Sequence, residues 1–373
     1  MVLRSEFVAL AQGEQANIRQ LCRRYGISPT TGYKWLKRCR EGQGLAEGSR
    51  RPARSPRQCP AEVEQAILAL RHAHPAWGAR KIKHRLLALG QAGLPATSTV
   101  HAILARHGCI SAQASAAATP WQRFEHPAPN DLWQMDFKGH VPLHQGRCHP
   151  LTVLDDHSRF NLCLHACAQE NRATVQERLI DVFRRYGLPG RMTMDNGAPW
   201  GDTEAHFTRM DVWLMKQGIA VSHSRPYHPQ TQGKDERFHR TLHAEVLQGL
   251  PFADLATSQR AFDAWRTIYN EQRPHEALGM QVPQQRYHPS TREYQPHPHP
   301  PEYADPKQVR RVEDKGMIAW QRHLYAIGRA FGGERVAIRP TDADHIHEVF
   351  WSTHRIARID LALHTAVHGK RLP

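Results

Sequence analysis

The chain is short of acidic residues and of cysteine, and it has no long apolar run. Its 373 residues hold 35 Asp and Glu against 50 Lys and Arg, a formal net charge of +15. The sequence pI is about 9.8. Such an imbalance points to a polyanionic partner, and charge alone does not separate nucleic acid from an anionic membrane surface. No run of about 18 apolar residues is present and no signal-peptide pattern opens the sequence, which argues against the membrane. The seven cysteines are odd in number, scattered, and without a CxxC pair. Even Cys163 and Cys167, the nearest pair, lie in an apolar segment and read as core filler. This usage argues against a disulfide scaffold and points to a reducing cytoplasm.

The positive charge that is present gathers at the start. Residues 1–57 carry twelve Lys or Arg against four Glu, an excess of +8. Ile18, Leu21, Cys22 and Tyr25 trace a short amphipathic helix that stops at Gly26, and Ser28-Pro29 is a cap and first residue for a second one. Helix, tight Gly turn, helix is the helix-turn-helix pattern, whose second helix enters the DNA major groove. Thr30, Thr31, Lys34, Lys37 and Arg38 are its candidate DNA-facing residues. A small helical protein-contact module is the rival reading, and the basic excess favours DNA. Residues 58–108 predict three further short helices around Val63, Ile82 and Val100, a second helix-turn-helix-like domain with Thr97 or Ser98 capping the last.

An Ala/Ser/Pro-rich linker over 109–127 leads to an α/β core over 128–290, with its helical extension. Strands are predicted at 132–137, 149–154, 160–166, 191–194 and 219–221, with helices between the later ones, as in a mixed sheet covered by helices. Along the first strand Asp136 alternates with Gln134, away from the apolar positions. A Pro/His-rich linker over 291–310 precedes a small domain over 311–373, where five short β-like runs predict a small β-barrel with Gly332-Gly333 as a hairpin turn.

Three acids stand out. Asp136 and Asp195 lie at or near strand ends, and Glu236 lies on a helix opened by Gly233, facing away from the stripe of Phe238, Leu242 and Val246. Carboxylates without a Cys or His cluster suit a hard ion, Mg²⁺ or Mn²⁺. Two such ions would stabilise both oxygens of an in-line displacement at phosphorus. Asp155, Asp156, Asp202, Glu204 and Asp235 are alternative acids, and pattern alone does not choose among them.

Resemblance chooses. The motifs Trp133-Gln134-Met135-Asp136-Phe137, Met194-Asp195-Asn196-Gly197-Ala198-Pro199 and His228-Pro229-Gln230-Thr231-Gln232-Gly233-Lys234-Asp235-Glu236-Arg237-Phe238-His239-Arg240-Thr241 resemble the integrase-type core of DDE insertion-sequence transposases. Asn270-Glu271-Gln272-Arg273-Pro274-His275 resembles the segment that follows that core in the same family. The resemblance implies an RNase H-like fold and Asp136, Asp195 and Glu236 as ligands of two divalent metals, Mg²⁺ or Mn²⁺. It also implies double-stranded DNA as partner, a homo-oligomer on that DNA, and a bacterial, nucleoid-associated protein. The expected activity is binding of terminal inverted repeats, hydrolytic cleavage at the element ends, and joining of the 3′-OH to target DNA. An inactive helix-turn-helix regulator and a purely hydrolytic nuclease are the alternatives. Lys234, Arg237 and His239 are candidates for gripping DNA phosphates. Two features depart from the family pattern: the acids at 195 and 236 stand 41 positions apart, farther than is familiar, and Asp235 occupies a place where relatives carry an apolar residue. The helical register favours Glu236 as the ligand, with no share for Asp235.

Overall fold

The computed structural model describes residues 2–13, 16–42, 44–46, 59–110, 125–195, 197, 199–200, 206–223, 233–249 and 251–368. The chain divides into two compact units, Met1–Cys59 and Pro60–Pro373.

Among the described residues, the first unit holds three helices, α1 (Val2–Ala11), α2 (Ile18–Arg24) and α3 (Pro29–Arg40). The predicted pair is present as α2 and α3, and the Ser28 hydroxyl accepts the Thr31 amide at 3.2 Å to cap α3. The first helix was not legible in the sequence. Its apolar residues lie all round the axis, so that Phe7 and Val8 are buried while Leu3 and Leu10 are left 68% and 47% exposed. Phe7 packs with Val8, Cys22 and Leu36. Gly32 lets α3 pass close by, because a Cβ there would stand 2.6 Å from Cys22 Sγ and 2.8 Å from Phe7 Cζ.

The second unit begins with α4 (Ala61–Ala73), α5 (Ala79–Ala88) and α6 (Thr97–Arg106), packed on the buried side chains Ile67, Trp77, Ile82, Val100 and Ile103. Helix α6 starts at Thr97 itself, so the capping position falls on Ala96 and neither Thr97 nor Ser98 caps it.

The central sheet is built from β1 (Leu132–Phe137), β2 (Val141–Pro142), β3 (Arg147–Asp155), β4 (Asn161–Cys167), β5 (Arg191–Met194) and β6 (Ala220–His223). Strands β1 and β3 are antiparallel, as are β3 and β4, whereas β1, β5 and β6 run parallel. This is the mixed α/β sheet read from the strand order. Helices α7 (Arg172–Tyr186) and α8 (Arg209–Lys216) cover one face, on a core that takes in Trp133, Met135 and Phe137 from β1. Helices α9 (Gly233–Leu242) and α10 (Leu255–Glu271) join the other, around Leu154, Leu164, Phe238, Leu242, Phe262 and Trp265. The side-chain alternation of β1 thus sends its three large apolar residues one way and Gln134 and Asp136 the other.

Part of the Pro/His-rich segment is fastened to this core. Arg292 donates to the carbonyls of Pro189 (2.6 Å), Gln217 (3.1 Å) and Gly218 (2.7 Å), while the Leu188 amide donates to Arg292 O at 2.7 Å. The C-terminal region does not form the predicted barrel. Strands β7 (Val309–Arg311), β10 (Arg335–Pro340), β11 (Ile346–Trp351), β12 (His354–Asp360) and β13 (Thr365–His368) make an open antiparallel sheet, and β8 (Met317–Trp320) with β9 (His323–Ala326) makes a separate hairpin. Strand β9 pairs back on β8, so Gly332 and Gly333 are not a hairpin turn between neighbours but follow a single 3-10 turn, Arg329–Phe331. A one-sided core of Ile318, Val336, Ile338, Val349 and Ile356 closes against Val212 and Met215 of α8, which removes the need for closure on itself.

Cys22, Cys39, Cys109, Cys148, Cys163 and Cys167 carry free thiols. Among the described residues, no helix is long and apolar enough to cross a membrane.

Candidate active site

Asp136 is the penultimate residue of β1, on the face that meets α9. Asp195 follows the last residue of β5, the parallel neighbour of β1. Burial pushes the Asp136 carboxyl up to about 7, and the negative charge of Asp195 pushes in the same direction. A divalent cation bound beside Asp136 would offset both its burial and the neighbouring charge of Asp195. The all-oxygen donor set of the two acids suits a hard divalent ion.

The Asp195 side chain is held from one side. Its Oδ1 accepts the Gly197 amide at 3.0 Å and the Trp200 indole N–H, which leaves Oδ2 outside that network. The Trp200 ring lies parallel to Phe137, with centroids 5.1 Å apart, so one side chain holds Asp195 and braces the neighbour of Asp136. From the other side, His223 Nδ1 donates to Asp195 O at 2.6 Å, and His223 Nε2 lies 3.0 Å from Asp211 Oδ1 on α8. Sequence reading gave Trp200, His223 and Asp211 no role. Their only signal was the presence of polar or aromatic groups at positions that turn out to be wholly buried.

Glu236 is exposed on α9. It lines an open cleft of about 490 Å³ together with Lys138, His239, Arg240 and His243. His239 connects that cleft to the aspartates. Its Nδ1 lies 3.9 Å from Asp136 Oδ2, and its Nε2 lies 2.9 Å from the Thr152 hydroxyl. Burial pushes the His239 imidazole down to about 3, helped by the charge of Lys138. The residues thus brought to one region are Asp136, Asp195 and His239, with Glu236 on the cleft that His239 shares. Among the described residues, no three His, Cys, Asp or Glu side chains gather closely enough to hold a metal as they stand. The expected extended stretch ahead of Glu236, at 224–232, lies outside the described residues, as do Asn196, Ala198, Asp202 and Glu204.

The alternative acids sort themselves by partner. Asp155 is buried and accepts from Ser158 N, Ser158 Oγ and Asn130 N, so it is a turn-forming group. Asp156 accepts from Gln134 Nε2 and His126 N and pairs with Lys234. Asp235 is fully buried, and among the described residues neither of its carboxylate oxygens has a hydrogen-bond partner. Burial, with the charges of Asp136 and Asp156, holds its carboxyl well above the usual range.

Of the three residues expected to grip phosphates, Lys234 is engaged by Asp156 and His239 by Thr152, while Arg237 is exposed. On α3, Thr30, Lys34 and Lys37 are exposed, with Lys37 3.8 Å from Glu41. Thr31 is drawn to the Ser28 cap and Arg38 donates to Ala46 O at 3.4 Å.

Comparison with known proteins agrees with this layout. Family models described as a helix-turn-helix domain and a homeodomain-like domain match residues 4–53 and 31–104. Two integrase core models match 126–229 and 217–283, and the C-terminal domain of IS481 family transposases matches 307–367. An uncharacterised protein of insertion element IS407 from Burkholderia multivorans is 28% identical over 42% of this chain and 54% of its own length. One from insertion element IS476 of Xanthomonas euvesicatoria is 29% identical over 42% of this chain and 44% of its own length. The Pro-Pol polyprotein of feline foamy virus is 27% identical over 42% of this chain and 14% of its own length. The chain therefore spans about half the length of the insertion-element relatives it matches. Among solved structures, a simian T-cell lymphotropic virus intasome in complex with a PP2A regulatory subunit aligns at a TM-score of 0.37 and 17% identity, covering 77% of this chain and 96% of that one. The HTLV-2 integrase catalytic core domain in complex with magnesium aligns at 0.33 and 16%, covering 44% of this chain and all of that one.

Proposed function

Starting from a chain with the make-up of a DDE-type insertion-sequence transposase and a retroviral-integrase-like core, we propose that it recognises the terminal inverted repeats of a mobile DNA element, cleaves there and joins the freed 3′-OH to target DNA. The observation that carries this reading is the placing of Asp136 on β1 and Asp195 just past its parallel neighbour β5, with the Asp136 carboxyl pushed up by burial and by the charge of Asp195. Asp136, Asp195 and Glu236 would hold two divalent cations, Mg²⁺ or Mn²⁺. When bound, these would neutralise charge on the attacking and leaving oxygens of phosphoryl transfer.

The remaining work falls to the protein's own groups. Trp200 and Gly197 fix the Asp195 carboxylate through Oδ1, and His223 fixes its backbone, so that the acid is held in place before a cation binds. Lys138 and Arg240 line the cleft beside Glu236 and place positive charge where a phosphate backbone would run. The exposed Thr30, Lys34 and Lys37 of α3 would meet the element ends, with base edges supplying sequence choice and phosphate contacts supplying affinity. Pairing of two ends calls for more than one copy on the DNA.

The test is a labelled terminal-repeat duplex with Mn²⁺, followed for shortened strands and for covalent joint products. The wild type gives both, and Asp195→Asn gives neither. An Asp195→Asn protein that cuts and joins as well as the wild type removes the basis of the proposal.

A further inference from the structure

The Thr152 hydroxyl has one proton, and it donates that proton to Asp136 O at 2.9 Å. Toward His239 Nε2, also 2.9 Å away, the same oxygen can then only accept. The ring is therefore held with its proton on Nε2, and Nδ1 is left to carry a lone pair. That lone pair looks toward Asp136 Oδ2, 3.9 Å distant, from a ring whose side chain is only 10% exposed. The two atoms are close enough that one ion could meet both after a modest movement of the side chains.

We propose that His239 is a further metal ligand, its Nδ1 binding the same cation as the Asp136 carboxylate, and that this nitrogen favours Mn²⁺ over Mg²⁺. The inference rests on the metal-dependent reading above and adds a donor that none of the three acids provides. Mg²⁺ is hard, holds its water and prefers oxygen, whereas an imidazole nitrogen suits first-row transition ions better. Thr152 is the outer partner that orients the ring, as a hydrogen-bonded neighbour does for a ligating histidine. It also ties that ring to the backbone of Asp136, so the two donors move together.

The experiment is Mn²⁺ binding to the full chain, followed by electron paramagnetic resonance, with electron spin echo modulation to detect nitrogen bound to the ion. Mn²⁺ on the wild type shows modulation from a directly bound nitrogen, and the pattern changes when histidine is labelled with nitrogen-15; neither measurement needs a substitution. In His239→Gln, which keeps a donor for Thr152, the modulation disappears and Mn²⁺ affinity falls roughly tenfold, with a much smaller change for competing Mg²⁺. His243→Gln, in the same cleft, keeps the modulation. Mn²⁺ bound to the wild type without nitrogen modulation, or modulation that survives in His239→Gln, overturns the role of His239 and leaves the acids as ligands. Mn²⁺ binding that Asp136→Asn leaves unchanged overturns the metal-dependent reading and this inference together.

Discussion

Asp235 and Glu236 are neighbours on one helix, and α9 sends them to opposite environments. Glu236 lines the open cleft, and Asp235 enters the interior with no hydrogen-bond partner among the described residues. At its position an apolar side chain would fit the surroundings better than a carboxyl group. The folded-state proton affinity of Asp235 is raised, so the stability it contributes is present below the unfolded value of about 3.9 and is lost as pH climbs toward the folded value. Asp235→Val removes both an unsatisfied buried polar group and that pH-dependent loss. Urea unfolding should show the variant more stable by about 1–3 kcal/mol near pH 4, with the gap widening toward pH 8. A variant less stable than the wild type at pH 8 would mean that Asp235 has a partner after all. The sequence carried which of the two acids is buried, because the spacing of Phe238 and Leu242 fixes which side of α9 faces inward. It carried no trace of Thr152, whose hydroxyl works from the middle of an apolar strand, because a buried threonine there reads as ordinary β-former.

Among the elements, those with a strong internal rhythm were legible. Strand β1, helix α7 with its Asn171 cap, and the α2–α3 pair with Ser28 and Pro29 all announce themselves through periodicity and capping. Helix α1 and the fate of the C-terminal strands did not, because both depend on what they pack against. The close approach of α3 to α1 and α2 at Gly32 allows a direct check. Gly32→Ala should overpack that contact and destabilise the first unit by about 1–3 kcal/mol, seen as faster amide exchange in α1–α3 while β1 and β3 are unchanged. Cys22→Ala in the same chain makes room for the new methyl and should restore much of the protection. Unaltered exchange in Gly32→Ala alone would contradict the packing described.

At the scale of the molecule, the excess of positive charge sets the behaviour of the whole. With a net charge of +15, affinity for duplex DNA should fall steeply as salt rises. Each phosphate contact adds about −0.9 to the slope of log affinity against log salt, so a slope steeper than about −4 is expected for a handful of contacts. A slope near zero in an equilibrium titration between low and moderate salt would rule out a charge-driven partner.

The carbonyls that Arg292 joins have a temporal consequence. The first unit is built from neighbours in sequence and is complete once residue 59 has been made. The sheet that carries the two aspartates is different, since Leu188, Pro189, Gln217 and Gly218 wait for a residue some hundred positions downstream of the first of them. Contacts so distant along the chain form late, and a domain emerging from the ribosome cannot close them early. The growing polypeptide therefore acquires its small helical unit first and a sealed α/β core only after Arg292 has been made. A chain halted before Arg292 would have the first and lack the seal of the second.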